Sequence, residues 1–518
     1  SSSGSESGES DCVASSSSSS SSSESYDESE DHGSGWVAKN NQVWFPTNEE
    51  TIPFMQPDTG MIPGPTGYAT SSVTNVESAF DLFFTEEMID LVVRMTNLNG
   101  QRTVKNWTAV DSTDFRAYMG LLILAGVYRS RGESKRSLWN CHSGRPIFRA
   151  TMSFNRFCEI NGSLCFEDEL QTPPGLQDDK LAPIRSLWDM WTQRLPLLFT
   201  PGRDVTVDEQ LVSFKGRCGY GLKMWLTTDV ATSYAWKCDV NMGKTDDATE
   251  VEQGKRIILD MTKKLRGVTV ACDKSFTSYS LGQKLLKKKK TLVGMIRNNN
   301  PELPPKLLQV KERAPFSSIF AFTKNTTAVS YVPKHGKNVV LISTRHRQTE
   351  LTEGPKKKPE IFTYYNRCKG VFNTLAKVVS TYSCRTRAKH WSQTLFMNMI
   401  DISASNAYVI FKAVQPSCNK TKRCRRRRFL EELGRALVSS EMLKRERLPR
   451  SPFAAALVKE IRSSASPDKE TSVDTNSSGM KRGLCIRCTK RRKKTITTCI
   501  CCGKYICKAH QVICCESC

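Results

Sequence analysis

The chain has 518 residues, 76 Lys and Arg against 52 Asp and Glu, a net charge of +24 and 38% hydrophobic residues. That length suits two to four folded units with a sizeable core. No run approaches the roughly 18 apolar residues of a membrane span, and no basic-plus-apolar leader opens the sequence, so neither a membrane nor a secreted protein is expected.

Charge and cysteine are unevenly spread. Residues 1–35 hold eight acids and no Lys or Arg, which leaves +32 on the remainder. An excess of that size points to a polyanion partner, nucleic acid before a merely soluble basic protein. Of 20 Cys, nine lie in the last 34 residues. Such clustering marks a metal module in a reducing compartment, whereas a secreted fold would spread its pairs.

Taken in chain order, the Ser-rich acidic stretch 1–35 is expected to be disordered. Residues 36–77, with Pro53, Pro57, Pro63 and Pro65, read as an extended linker. From 78 to 203 the pattern is helical. Thr113–Tyr128 places Phe115, Met119, Leu122 and Gly126 at helical spacing behind Ser112 or Thr113 as N-cap. Ser153 opens a further helix with Phe154, Phe157 and Ile160 on one face. The period then changes. Strands are expected at Val205–Asp208, Leu211–Phe214, Lys223–Trp236 and Ala235–Val240. A helix bearing Ile257, Ile258, Met261 and Leu265 leads to the strand Val268–Asp273, and a helix around Leu281 and Leu285 to the strand Leu292–Ile296. That alternation marks a three-layer α/β core. Residues 298–357, with alternating apolar stretches at Ile319–Phe322, Ala328–Val332 and Val339–Ser343, read as a β-rich insertion. Helix returns at Ser392–Phe411 and Phe429–Val438, and 463–480 is a linker.

The C-terminal segment, 481–518, carries Cys485-x2-Cys488, Cys499-x2-Cys502, Cys507-x2-His510 and Cys515-x2-Cys518. Two residues between ligands let both reach one tetrahedral Zn²⁺, so four pairs suit two structural zinc ions, and a segment this short needs them to fold. Interleaved pairing is the usual arrangement for such a set. Arg491, Arg492, Lys493 and Lys494 in this segment, and the run Lys422, Arg423, Arg425, Arg426, Arg427 and Arg428, are candidate phosphate contacts. The latter run directly precedes the amphipathic Phe429, Leu430, Leu433 and Leu437.

Two carboxylates stand out. Asp208 follows one apolar strand and Asp273 ends another. Acids at adjacent strand ends can hold two divalent ions about 4 Å apart for in-line attack on a phosphodiester, although an Asp at a strand end is also a common turn residue.

The stretches Gly120–Tyr128, Gly144–Ser153, Val207–Leu211, Lys215–Arg217, Cys272–Ser278, Lys358–Glu360, Tyr365–Asn366 and Ser380–Arg385, together with the zinc pairs, resemble piggyBac-type DNA transposases. The resemblance implies an α/β RNase H-like core, in parts 204–297 and 358–385, split by the β-rich insertion 298–357. It also implies a divided helical dimerisation and DNA-binding domain at 78–203 and 386–462. The family's first two metal-binding Asp residues fall on Asp208 and Asp273. Its third falls on Asn373 or Phe372, according to the direction of counting, and neither is a carboxylate. About a dozen residues usual after Cys218 are missing. The resemblance therefore implies a nuclear, homodimeric, transposon-derived DNA-binding protein with impaired cleavage and strand-transfer chemistry and no small-molecule substrate. Mg²⁺ or Mn²⁺ is expected only if chemistry survives. The alternatives are an active transposase acting on terminal-repeat DNA and a zinc-dependent chromatin or protein interaction module.

Overall fold

Eight segments rich in Val, Ile, Thr and aromatic residues pair into one sheet in the computed structural model, which describes residues 35–48, 62–168, 179, 181–212, 221–240, 250–386, 390–418, 424–465, 483–484 and 494–495. The chain divides into two compact units, 1–455 and 456–518.

In the first unit, short strands β1 (Trp36–Val37), β2 (Val43–Trp44), β3 (Gly64–Pro65) and β4 (Phe199–Thr200) precede the main sheet. The sheet comprises β5 (Asp204–Val212), β6 (Leu222–Asp229), β7 (Ala235–Val240), β8 (Thr269–Cys272), β9 (Thr291–Met295), β10 (Ser318–Thr323), β11 (Thr326–Lys334) and β12 (Lys337–Ser343), in the order β10-β11-β12-β9-β8-β5-β6-β7. β5, β8 and β9 are parallel and the other pairings antiparallel. Helices α1 (Gly67–Ser72), α2 (Val76–Asp81), α3 (Glu86–Thr103), α4 (Ser112–Val127), α5 (Lys135–Leu138), α6 (Pro146–Thr151), α7 (Phe154–Ser163) and α8 (Arg185–Leu198) come before the sheet. α9 (Glu250–Met261), α10 (Tyr279–Lys287) and α11 (Pro305–Leu308) lie between its strands, and α12 (Glu360–Thr381), α13 (Trp391–Val414), α14 (Arg425–Lys444) and α15 (Pro452–Ala465) follow it. A mixed sheet with helices between its strands is consistent with an RNase H-like core. The second unit takes in α15 from residue 456 on and a two-stranded pair, β13 (Gly483–Leu484) with β14 (Lys494–Thr495).

α13 is buried on nearly every face, and several of its polar residues find partners inside the fold. Asn406 exchanges both amide hydrogen bonds with the Ala235 backbone of β7, each at 2.9 Å. Trp191 donates to Ser403 at 2.9 Å, and the Asp401 carboxylate accepts from Ser383 and from the Cys384 backbone. Such satisfied groups let a polar helix sit where an unpaired one would cost ~1–3 kcal/mol per group. On another side, α4 and α14 cross at two glycines. A methyl on Gly120 would lie 2.9 Å from the Gly434 carbonyl oxygen, and one on Gly434 would lie 2.6 Å from Leu124 Cγ.

Several sequence expectations change. α4 is capped by Asp111, whose side chain accepts from Asp114 N–H in a reciprocal box, in place of Ser112 or Thr113. The expected strand Lys223–Trp236 is two strands, because Ser233 turns with a positive φ of 63° and Asp229 holds that turn through Thr232. The strands of 298–357 form no separate layer. β12 pairs with β9, Leu341 opposite Met295, so they extend the core sheet. Part of the expected linker is structured as well. Trp44 is wholly buried, its Nε1 donates to Glu302 O at 2.9 Å, and Phe45 exchanges backbone hydrogen bonds of 2.7 Å with Phe322 on the edge strand β10.

Candidate functional site

The register of two parallel strands assembles the acidic pair. Val207 on β5 stands opposite Cys272 on β8, so the next step along each strand brings Asp208 beside Asp273. After β8 the chain reverses at once, the Asp273 carbonyl accepting from Phe276 and Thr277 N–H at 3.0 and 3.1 Å. Asp208 is only 5% exposed. Burial lifts its carboxyl above the usual carboxylate range despite a neighbouring Lys369.

Helix α12 lies across these strands. Its apolar face, Ile361, Tyr364, Tyr365 and Cys368, packs with Ala271, Val293, Val329 and Leu341 of the sheet. That anchoring presents two donor sets to the acids. Tyr364 donates to Asp204 Oδ1, and Arg367 reaches Asp204 Oδ2 at 3.2 Å while its guanidinium lies 4.7 Å from the Tyr364 ring centre. On the neighbouring face, Tyr365 and Lys369 face the acidic pair at the i, i+4 spacing. The Tyr365 hydroxyl lies 3.5 Å from Asp273 Oδ1. The Lys369 ammonium donates to Asp208 Oδ2 and stands 4.0 Å from Asp273 Oδ1, bridging both carboxylates. Burial raises both phenols well above their usual range, the Asp204 hydrogen bond adding to the effect on Tyr364 and the Asp273 charge to that on Tyr365.

Positions 372 and 373 fall in the helical turn after Lys369, with their side chains outside the described part. Phe and Asn there supply no carboxylate. Glu360, the nearest acid earlier on α12, is nine residues or about 13 Å of helix before Lys369. Its carboxyl, 3.8 Å from the His346 imidazole, is raised by burial and by its hydrogen bond with Glu350. Two divalent ions need more anionic oxygen than this. Among the described residues no group of three or more His, Cys, Asp or Glu could hold a metal. Among the described residues, Asp208 and Asp273 with Lys369 between them therefore do not make up a two-ion centre.

The other expected site residues are dispersed. Arg425, Arg426, Arg427 and Arg428 form the first turn of α14, while Lys422 and Arg423 lie outside the described residues. Arg426 is an internal tie, because it donates to Val378 O and its guanidinium covers the Tyr382 ring at 5.1 Å. Burial lowers its pKa. Arg427 is exposed. In the run Lys287–Lys290, Lys290 is buried, donates to Thr262 O, and is pushed down to about 8 by burial and by neighbouring cations. The zinc-spaced Cys485, Cys488, Cys499, Cys502, Cys507, His510, Cys515 and Cys518, with Arg491, Arg492 and Lys493, lie outside the described residues, and Lys494 is described only as backbone of β14.

Sequence reasoning missed Lys369 and Asp204. The signal was local: Tyr365 and Lys369 are four apart on a helix, and Asp204 and Asp208 share one face of a strand. Nothing local said which strand ends that helix would cross.

A sequence model described as "Transposase IS4" matches residues 77–408. Human "PiggyBac transposable element-derived protein 3" is 20% identical over 391 residues, covering 69% of this chain and 65% of the relative. The human "Chimeric ERCC6-PGBD3 protein" is also 20% identical over 391 residues, with 36% of its length covered. The chain thus spans just under two thirds of the first relative and about a third of the second. A cryo-EM structure of a piggyBac transposase synaptic complex with hairpin DNA aligns with a TM-score of 0.74 and 28% identity, over 88% of this chain and 100% of that one. The chain belongs to the IS4-type transposase family, and within it to the piggyBac type.

Proposed function

We propose that this chain is a transposon-derived DNA-binding protein whose cleavage and strand-transfer chemistry is impaired. One observation carries the reading: the two acids that register brings together are bridged by Lys369, and the next helical turn offers Phe372 and Asn373 where a third carboxylate is expected. DNA as partner is supported by the positive charge, by family membership, and by the likeness to a chain solved with hairpin DNA. In the same reading the protein acts in the nucleus as a homodimer, and the C-terminal cysteine pairs hold two structural zinc ions. Arg425, Arg427 and Arg428 contact phosphates along with Arg491–Lys494.

An active transposase is the second reading, favoured by the juxtaposition of Asp208 and Asp273 itself. A single assay separates the two. Purified protein is titrated with duplex carrying candidate terminal repeats at 50 and 200 mM salt, then incubated with Mg²⁺ or Mn²⁺. Binding that weakens steeply with salt, without nicking or joining, is expected. Robust metal-dependent cleavage abolished by Asp208→Ala would overturn the impaired-chemistry reading.

A further inference from the structure

We propose that the Lys369 ammonium is the resident counter-cation of the Asp208–Asp273 pair and keeps divalent ions out of it. The inference deepens the reading above, since it rests on taking this pair as the ancestral metal position.

Three of the pair's four oxygens are already faced by groups from within the fold. Asp208 Oδ1 accepts from Glu209 N–H at 2.8 Å, and Oδ2 accepts from Lys369. Asp273 Oδ1 has the Tyr365 hydroxyl at 3.5 Å and the same ammonium at 4.0 Å. The Lys369 side chain is 23% exposed and Asp208 only 8%, so the contact is a partly desolvated one and not a surface ion pair. Charge follows the same direction. Two carboxylates with one fixed ammonium leave a single net negative charge to attract a dication, which would also face a like charge about 4 Å away.

Helix α12 fixes the ammonium there. Tyr364, Tyr365 and Cys368, the residues around Lys369 on the helix, are locked in the apolar cluster against β8, β9 and β12. Tyr364 and Arg367 add a second clamp to Asp204 on the same strand as Asp208. A lysine on a mobile loop would give way to an arriving ion, whereas this one starts from a helix held at two points. Mg²⁺ and Mn²⁺ demand a near-octahedral oxygen shell at about 2.0–2.2 Å. Building that shell here requires the ammonium to leave Asp208 Oδ2 with no carboxylate at 372 or 373 to replace the lost ligand.

The test uses Mn²⁺ alone on the full chain, with the free-ion EPR signal as readout, so it does not depend on DNA or turnover. In the parent background, Asp208→Asn should leave Mn²⁺ binding unchanged. Lys369→Met should add one site at least about tenfold tighter than any Asp208-dependent binding in the parent, from removal of the like charge. That gain should vanish when Asp208→Asn is added, and Lys369→Arg should not produce it. Lys369→Gln is carried in parallel as a polar replacement, and thermal unfolding verifies each variant. Parent protein that loses Mn²⁺ binding with Asp208→Asn refutes the proposal without requiring any Lys369 variant to fold. Folded Lys369→Met with no gain refutes it equally. The outcomes are separable from those of the cleavage assay. DNA cutting by a chain that excludes Mn²⁺ from this pair would overturn impaired chemistry alone, and an Asp208-dependent Mn²⁺ site in a chain that does not cut would overturn this inference alone.

Discussion

Trp44→Ala should release residues 35–48 from the sheet while leaving the rest folded. Trp44 is fully buried, in edge-to-face contact with Tyr279 at 5.5 Å between ring centres, and its indole N–H bonds to Glu302 O. Val37, Val43 and Phe45 of the same segment are exposed, so Trp44 is its main apolar anchor. Truncating such a side chain costs about 3–5 kcal/mol. What remains is modest: two backbone bonds between Phe45 and Phe322, one from Asn40 N–H to Pro301 O, the Asn48–Arg347 pair, and the Lys306 ammonium 5.8 Å from the Trp36 ring centre, each a neutral or partly exposed contact of about 1 kcal/mol. With about 3 kcal/mol lost, the segment should open some 150-fold more often, since each 1.4 kcal/mol is tenfold. Amide exchange reads this directly. The Phe45 and Phe322 amides should lose protection, while those of β8 and β5 keep theirs. Opening also bares the β10 edge, so the variant should self-associate more readily. Unchanged protection at Phe45 and Phe322, with a lower global unfolding midpoint, would refute the reasoning and make Trp44 part of the common core.

Four further outcomes are expected. Gly120→Ala should lower stability by about 1–2 kcal/mol in denaturant titration, because its methyl meets the Gly434 carbonyl at the α4–α14 crossing and the overpacking exceeds the gain in helix propensity. Gly370→Ala on an open face of α12 should stabilise by about 0.5–1 kcal/mol. Glu441 is half-buried, with Oε2 lacking a hydrogen-bond partner among the described residues, and is pushed up to about 7 by burial and then by Asp114. Its folded pKa exceeds its unfolded one, so the fold is penalised increasingly as pH rises from about 4.5 through 7. Glu441→Gln should therefore stabilise at pH 8, by about 1 kcal/mol after discounting for partial exposure, and have no effect at pH 4. Urea midpoints at the two pH values measure the difference. Elemental analysis of the full chain should find two zinc ions, with loss on Cys488→Ser and retention on Cys501→Ser; one ion or none would refute the eight-ligand assignment.

The sequence alone determined most element types, because periodicity is local: the 3.6-residue stripe of Phe157 and Ile160 and the strand patterns around Val205 and Val270 require no knowledge of partners. It also located Asp208 and Asp273 as acids at strand ends. It did not say that the strands of 318–343 would join β9, since a strand's alternation specifies which face is buried and not which edge it meets. It read the Pro-bearing stretch 36–77 as a linker, because two isolated tryptophans carry no period, and only the contacts with Tyr279 and Glu302 make Trp44 an anchor. Arg426 looked like its neighbours until the Val378 carbonyl and the Tyr382 ring closed on it. Lys369 is the sharpest case. A lysine on an amphipathic helix is ordinarily solvated, and its place between two carboxylates comes from residues 161 and 96 positions away, brought under it by sheet register and helix docking. Long-range electrostatics of that kind is a property of the assembled fold, because no local pattern encodes the distance between charges that are far apart in the chain.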